Sequence, residues 1–139
     1  MLENVHILKI FIVEDDAIFG KSILYYLSLN PENEISLFTN GKEAIAQRYK
    51  DPDLIILDYN LPGMNGMEVM QSFHNYNKTF PIIIISAQSD IRIAVNLLKE
   101  GAFDYIVKDH DLKDRLWMSM EKVRRISSYE KKIDELEAE

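Results

Sequence analysis

The chain contains no cysteine. Disulfides, thiolate metal sites and thiol nucleophiles are thereby excluded, and a reducing compartment is the expected home. Proline and glycine are sparse, at four and five residues of 139, and there is no repeat, linker or low-complexity tract before residue 110. Long apolar runs are absent too. The longest, which includes Pro81 to Ile85, is far too short to span a bilayer. Met1 to Ile10 carries Glu3, His6 and Lys9 and lacks the layout of a signal peptide, so a cytoplasmic protein is expected. Positive charge is the minority, with sixteen basic against twenty-three acidic residues. With no basic face, the balance argues against direct nucleic-acid binding by this segment. His6, His74 and His110 share no ligand spacing and are expected to be solvated.

What is present is one domain's worth of alternating apolar patterns and a modest extension. Leu8 to Val13, Glu34 to Phe38, Asp53 to Leu57, Pro81 to Ser86 and Phe103 to Val107 read as strands. The Leu/Ile run before Asp58 and the Ile run before Ser86 have the all-apolar character of parallel strands buried on both faces. Between them lie helical patterns. The first runs from Ala17 to Leu29, with Ile18, Ile23, Leu24 and Leu27 at helical spacing and Asp16 as cap rather than metal ligand. It stops at Asn30-Pro31. Others hold Ala44, Ile45 and Tyr49 after Asn40, run from about Gly66 to His74, and run from a Ser89 or Asp90 cap to Glu100 before Gly101. A last helix starts at Asp111. Short connections and right-handed crossovers predict a flavodoxin-like (βα)5 doubly wound α/β sheet, strand order 2-1-3-4-5, with an extended C-terminal helix. The methionines read as core filler, and Gly63 and Gly66 as turn glycines.

The ends of these strands carry the chemistry. Strand one runs into Glu14 and Asp15, strand three into Asp58, strand four into Ser86 and strand five into Lys108. An Asp that ends a strand is, taken alone, ordinarily a turn former. In a parallel sheet, however, every carboxyl end lies on one edge, where open α/β sheets place ligands. Three carboxylates crowded there repel one another and call for a cation. An all-oxygen donor set without His or Cys points to Mg²⁺. A carboxylate, a hydroxyl and an ammonium then surround space for a phosphoryl group, toward which Asp is a competent nucleophile.

Four stretches, Ile12-Val-Glu-Asp-Asp16, Ile56-Leu-Asp-Tyr-Asn-Leu-Pro-Gly-Met-Asn-Gly66, Ile84-Ile-Ser-Ala87 and Gly101-Ala-Phe-Asp-Tyr-Ile-Val-Lys108, carry a resemblance. From about Ile7 to Ser127 the chain resembles the receiver domain of two-component response regulators. The resemblance implies that Asp58 accepts a phosphoryl group from a sensor histidine kinase or phosphotransfer protein. It implies metal ligation by Glu14, Asp15 and Asp58 and by the backbone carbonyl of Asn60. It makes Ser86 and Lys108 the catalytic partners of Asp58, and Ser86 and Tyr105 the switch pair. No enzyme acting on an external substrate is implied, only autophosphorylation and autodephosphorylation, with Asn60 and Gln88 flanking the water path. The sequence departs from many relatives after the lysine, where Asp109 stands in place of proline. A cis peptide there costs roughly 3–4 kcal/mol without proline, so a trans or a strained bond is expected.

Residues 1–127 are thus expected to form the receiver domain and 128–139 a helical or coiled-coil extension. Leu112, Leu116, Met120 and Val123 suit a helix on the sheet, whereas Ile126, Ile133 and Leu136 continue an amphipathic spacing beyond it. The open end of that pattern is expected to lead to an output domain absent from this chain, with transcriptional activators dependent on sigma-54 as one analogy. Homodimerisation on phosphorylation is expected. In the fourth helix, Ile91, Ile93, Val95, Leu97 and Leu98 exceed one buried stripe and leave a choice between a partner patch and a deeply packed helix. Two other functions fit the residues less well. A Mg²⁺-dependent phosphohydrolase wants a second Asp at position 60 and a cap insertion, and has neither. An interaction module without chemistry has no use for the intact strand-end set.

Overall fold

The computed structural model describes residues 7–138. Its strands are β1 (Leu8–Val13), β2 (Asn33–Phe38), β3 (Leu54–Asp58), β4 (Ile82–Ser86) and β5 (Asp104–Val107). All neighbours pair in parallel, in the order β2-β1-β3-β4-β5. The helices are α1 (Ala17–Ser28), α2 (Gly41–Ala46), α3 (Gly66–Tyr76), α4 (Ile91–Lys99) and α5 (Leu112–Glu137). The flavodoxin-like α/β order expected from the sequence is the one observed.

β3 and β4 contain no polar residue before Asp58 and Ser86 because both of their faces are covered. Strand alternation divides the apolar set. Ile10, Ile12, Ile56, Ile83 and Ile85 face Ile23 and Leu27 of α1 and Leu116, Met120 and Val123 of α5. Phe11, Val13, Ile55, Leu57 and Ile84 face Ala44 of α2, Val69, Met70 and Phe73 of α3, and Leu97 of α4. Each large side chain buried in these layers contributes roughly 1.5–3 kcal/mol.

Helix starts follow the short polar residues. Asp16 accepts from the N–H groups of Ile18 and Phe19 at 3.0 and 3.1 Å, so it caps α1. Asn65 and Glu68 form a reciprocal capping box on α3. Of the two candidates for α4, Asp90 is the cap. Gly101, at φ +117°, then ends that segment.

Several expectations are corrected. α2 stops at Ala46, and Tyr49 lies in a separate 3-10 turn, Arg48–Lys50. Ile18 is 85% exposed; Phe19 takes the inward place, since position 18 stands 140° from Ile23 around a helix. His74 is half-buried, and its Nε2 lies 2.9 Å from the Phe80 carbonyl oxygen, so it ties α3 to the start of β4. His110 is exposed, and His6 lies outside the described residues. The methionines are not uniformly filler: Met70 and Met120 are buried, but Met118 is exposed. Gly66 has a role beyond turning. A Cβ there would sit 2.8 Å from the Tyr59 Cα, so only glycine lets α3 start against the loop that follows Asp58.

Candidate functional site at the carboxyl edge of the sheet

Strand register sets the heights of the functional groups. Val13 pairs with Leu57 and Asp58 with Ile85, so Glu14 leaves β1 level with Asp58. Ser86 pairs with Val107, which puts Lys108 one step further on, directly after β5. The Lys108 N–H donates to the Ser86 carbonyl at 2.7 Å and thereby ties the ends of β4 and β5 together. The Lys108–Asp109 bond is trans, as are all described peptide bonds. The Asp109 N–H, which a proline would lack, donates to the Val107 carbonyl at 2.9 Å, and its carboxylate accepts from the Asp111 N–H at 2.9 Å. This turn, built on Asp109, launches the lysine side chain back over the edge.

Lys108 Nζ lies 2.6 Å from Glu14 Oε1 and 3.3 Å from Asp58 Oδ1. Glu14 is 1% exposed and Asp58 3%. Burial pushes the Glu14 carboxyl up to about 7; the Lys108 hydrogen bond opposes this, and the adjacent Asp58 reinforces it. Burial also works against the Lys108 charge, but Glu14 and Asp58 outweigh it and hold its pKa above the ordinary lysine value. Asp15 is exposed at the rim, and its carboxylate, with those of Glu14 and Asp58, offers oxygens within 4.8 Å of one another. An all-carboxylate cluster of that size fits a hard divalent cation such as Mg²⁺. Asn60 is exposed in the following loop, its N–H 3.4 Å from Asp58 Oδ1.

The two remaining predicted residues stand beside this triad and not in it. Ser86 is fully buried, and its Oγ accepts from the Gln88 N–H at 3.1 Å. Tyr105, half-buried in β5, donates its hydroxyl hydrogen to the Gln88 carbonyl at 2.6 Å. Both therefore hold the β4–α4 loop through one residue, Gln88. Sequence reasoning missed a further participant: the Phe19 ring lies under Lys108, with Nζ 4.4 Å from its centroid. That distance is within cation–π range. The available signal was the spacing Phe19, Ile23, Leu27, which defines the inward face of α1 better than one begun at Ile18.

The response regulator receiver domain family matches residues 10–117. This chain belongs to that family. Receiver domains of two-component systems are signalling switches and not, in general, enzymes, and an acidic Mg²⁺ pocket is typical of them. Similar proteins include response regulator ArlR of Staphylococcus saprophyticus, 40% identical over 110 residues, which cover 78% of this chain and 49% of ArlR. The DNA-binding transcriptional regulator NtrC of Salmonella typhimurium is 36% identical over 78 residues, 55% of this chain and 17% of NtrC. This receiver chain thus spans about half of one relative and a smaller part of the other. A receiver domain protein from Clostridium thermocellum has the same fold, with a TM-score of 0.81 at 21% identity over 88% of this chain and 98% of that one. No helix among the described residues is long and apolar enough to cross a membrane.

Proposed function

We propose that this receiver is a phosphorylation-controlled switch with Asp58 as phosphoacceptor. The observation that carries the reading is the meeting of Glu14, Asp58 and Lys108 at 2.6 and 3.3 Å from three separate strands. An Asp58 carboxylate oxygen forms the new P–O bond. The P–N bond of a phosphohistidine on a sensor histidine kinase or phosphotransfer protein breaks, and its electron pair returns to the imidazole nitrogen. Lys108 exchanges part of its carboxylate pairing for the incoming phosphoryl oxygens. The carboxylates of Glu14, Asp15 and Asp58 and the Asn60 carbonyl would hold Mg²⁺. Bound there, the ion supplies charge neutralisation for the phosphoryl oxygens.

Phosphorylation adds about two negative charges and three acceptor oxygens beside Ser86. Turning Ser86 toward them costs its bond with the Gln88 N–H, which also loosens the loop that Tyr105 holds. The signal then reaches α4, β5 and α5 as a population shift between two arrangements. On α4, Ile91, Val95 and Leu98 are exposed, which favours a partner patch over deep burial. We assign residues 1–127 to the receiver and 128–139 to a helical extension toward an output domain. The setting is a cytoplasmic transcriptional response, with dimerisation on phosphorylation. Asn60 and Gln88, both exposed, flank the water path and set the phosphoryl lifetime. Intact mass after incubation with Mg²⁺ and acetyl phosphate tests the reading. One phosphoryl adduct on the wild type and none on Asp58→Asn is expected. Absence of an adduct, together with no response to beryllofluoride, overturns it.

A further inference from the structure

Lys108 has to be aimed twice. Before phosphorylation its Nζ is held by Glu14 Oε1 at 2.6 Å and by Asp58 Oδ1 at 3.3 Å. During transfer it exchanges part of that pairing for phosphoryl oxygens, so the carboxylates alone do not point it. A lysine side chain is a flexible four-carbon stem, restrained only as well as the backbone that launches it.

The two sides of that backbone are held in different ways. On the strand side, the Lys108 N–H donates to the Ser86 carbonyl at 2.7 Å. On the far side β5 has ended, and the bonds run through Asp109. The Asp109 N–H donates to the Val107 carbonyl at 2.9 Å, which closes a three-residue turn with Lys108 at its centre. The Asp109 carbonyl accepts from the Leu112 N–H at 3.1 Å. Its Oδ1 accepts from the Asp111 N–H at 2.9 Å. Leu112 and Leu116 are buried, so the turn is fastened to a helix that the core holds in place.

Two of these three bonds use main-chain groups on both sides. The third needs an acceptor oxygen on a short side chain at position 109. Asp111, at the start of α5, makes no side-chain bond to its helix; its Oδ2 lies 3.5 Å from His110 Nε2. We infer that Asp109 is a positioning residue for Lys108. By accepting the Asp111 N–H, its carboxylate fixes the turn that directs the lysine into the phosphoryl site. Where many relatives carry proline, whose ring restrains the backbone, this chain restrains it by a hydrogen bond. The inference rests on the assignment of Asp58 as acceptor and Lys108 as its phosphoryl-binding partner.

The test compares variants of equal charge. Asp109→Asn keeps an acceptor oxygen and Asp109→Ala does not, yet both remove the same negative charge. The 139-residue protein is incubated with Mg²⁺ and acetyl phosphate and followed by intact mass against time. Asp109→Ala is expected to be phosphorylated about two- to tenfold more slowly than Asp109→Asn. Asp111→Ala retains the main-chain N–H that Asp109 uses and is expected to match the wild type. The second readout needs neither phosphodonor nor Mg²⁺. It is the Cε resonance of Lys108 in protein carrying ¹³C-labelled lysine, assigned by its loss in Lys108→Arg. Wild type and Asp109→Asn are expected to share one position, apart from the exposed lysines, and Asp109→Ala to move toward them. Equal rates for the Asn and Ala variants overturn the inference, as does a Lys108 resonance unmoved in Asp109→Ala. If the wild type takes up no phosphoryl group, the assignment of Asp58 fails. The Lys108 resonance then still decides whether Asp109 positions the lysine.

Discussion

The carboxyl edge of the sheet and the tail of α5 use the same residue types under opposite conditions. At the edge, Lys108 and Glu14 meet across 94 positions of chain and are almost withdrawn from water. In the tail, Glu130, Lys131, Lys132 and Glu137 lie close in sequence and are exposed on one helix. Charge at the edge is costly, so the Glu14 and Lys108 pKa values move. Charge in the tail is cheap, because it stays in water. Composition alone does not separate these uses; removal of water does.

The largest effect that would break this contrast is loss of the acceptor. Asp58→Asn keeps the shape of the edge and is expected to abolish the phosphoryl adduct seen by intact mass. Next is Phe19. Phe19→Ala removes the ring beneath Lys108 and, at about 0.5–2 kcal/mol for a cation–π contact, is expected to slow phosphorylation about two- to thirtyfold. Phe19→Tyr keeps a ring face and is expected to retain most of the rate. If both variants behave as wild type in a timed acetyl phosphate reaction, Lys108 is aimed without the ring.

The folded-state pKa of Glu14 is raised from 4.5 to about 7. Between those values the native state retains a proton that the unfolded chain has released, so stability falls as pH rises through the window and levels off above it. The full shift corresponds to about 3–4 kcal/mol. Urea melts at pH 5 and pH 8 without Mg²⁺ are expected to show this slope in the wild type and to lose it in Glu14→Gln. An unchanged slope would mean that Glu14 stays ionised throughout. The smallest effect is expected from removing residues 128–139. None of the described residues there is buried, so the denaturation midpoint should barely move.

Much of this was legible because it rests on local pattern. Apolar runs ending in Glu14, Asp58, Ser86 and Lys108 located the strands, and parallel pairing alone brings such ends to one edge. Asp16, Asn40 and Asp90 marked helix starts through short-range hydrogen bonds. Less was legible where contact is long-range. Ile18 and Phe19 are adjacent apolar residues on one helix, and only the position of the sheet decides that Phe19 turns inward. His74 looks solvated until the start of β4 presents the Phe80 carbonyl to it. Gly66 reads as a turn residue until the backbone of Tyr59 comes within reach of its missing Cβ.

The sequence by itself determined the order of elements, the strand ends that carry chemistry and the amphipathic stripe of the tail. Each of these depends on neighbours within a few residues. Only the tertiary structure decided that Lys108 bridges Glu14 and Asp58, that Ser86 and Tyr105 both engage Gln88, and that burial pushes the Glu14 carboxyl up. Those facts depend on which distant groups share a space from which water is excluded, and burial on that scale exists only after the chain has folded.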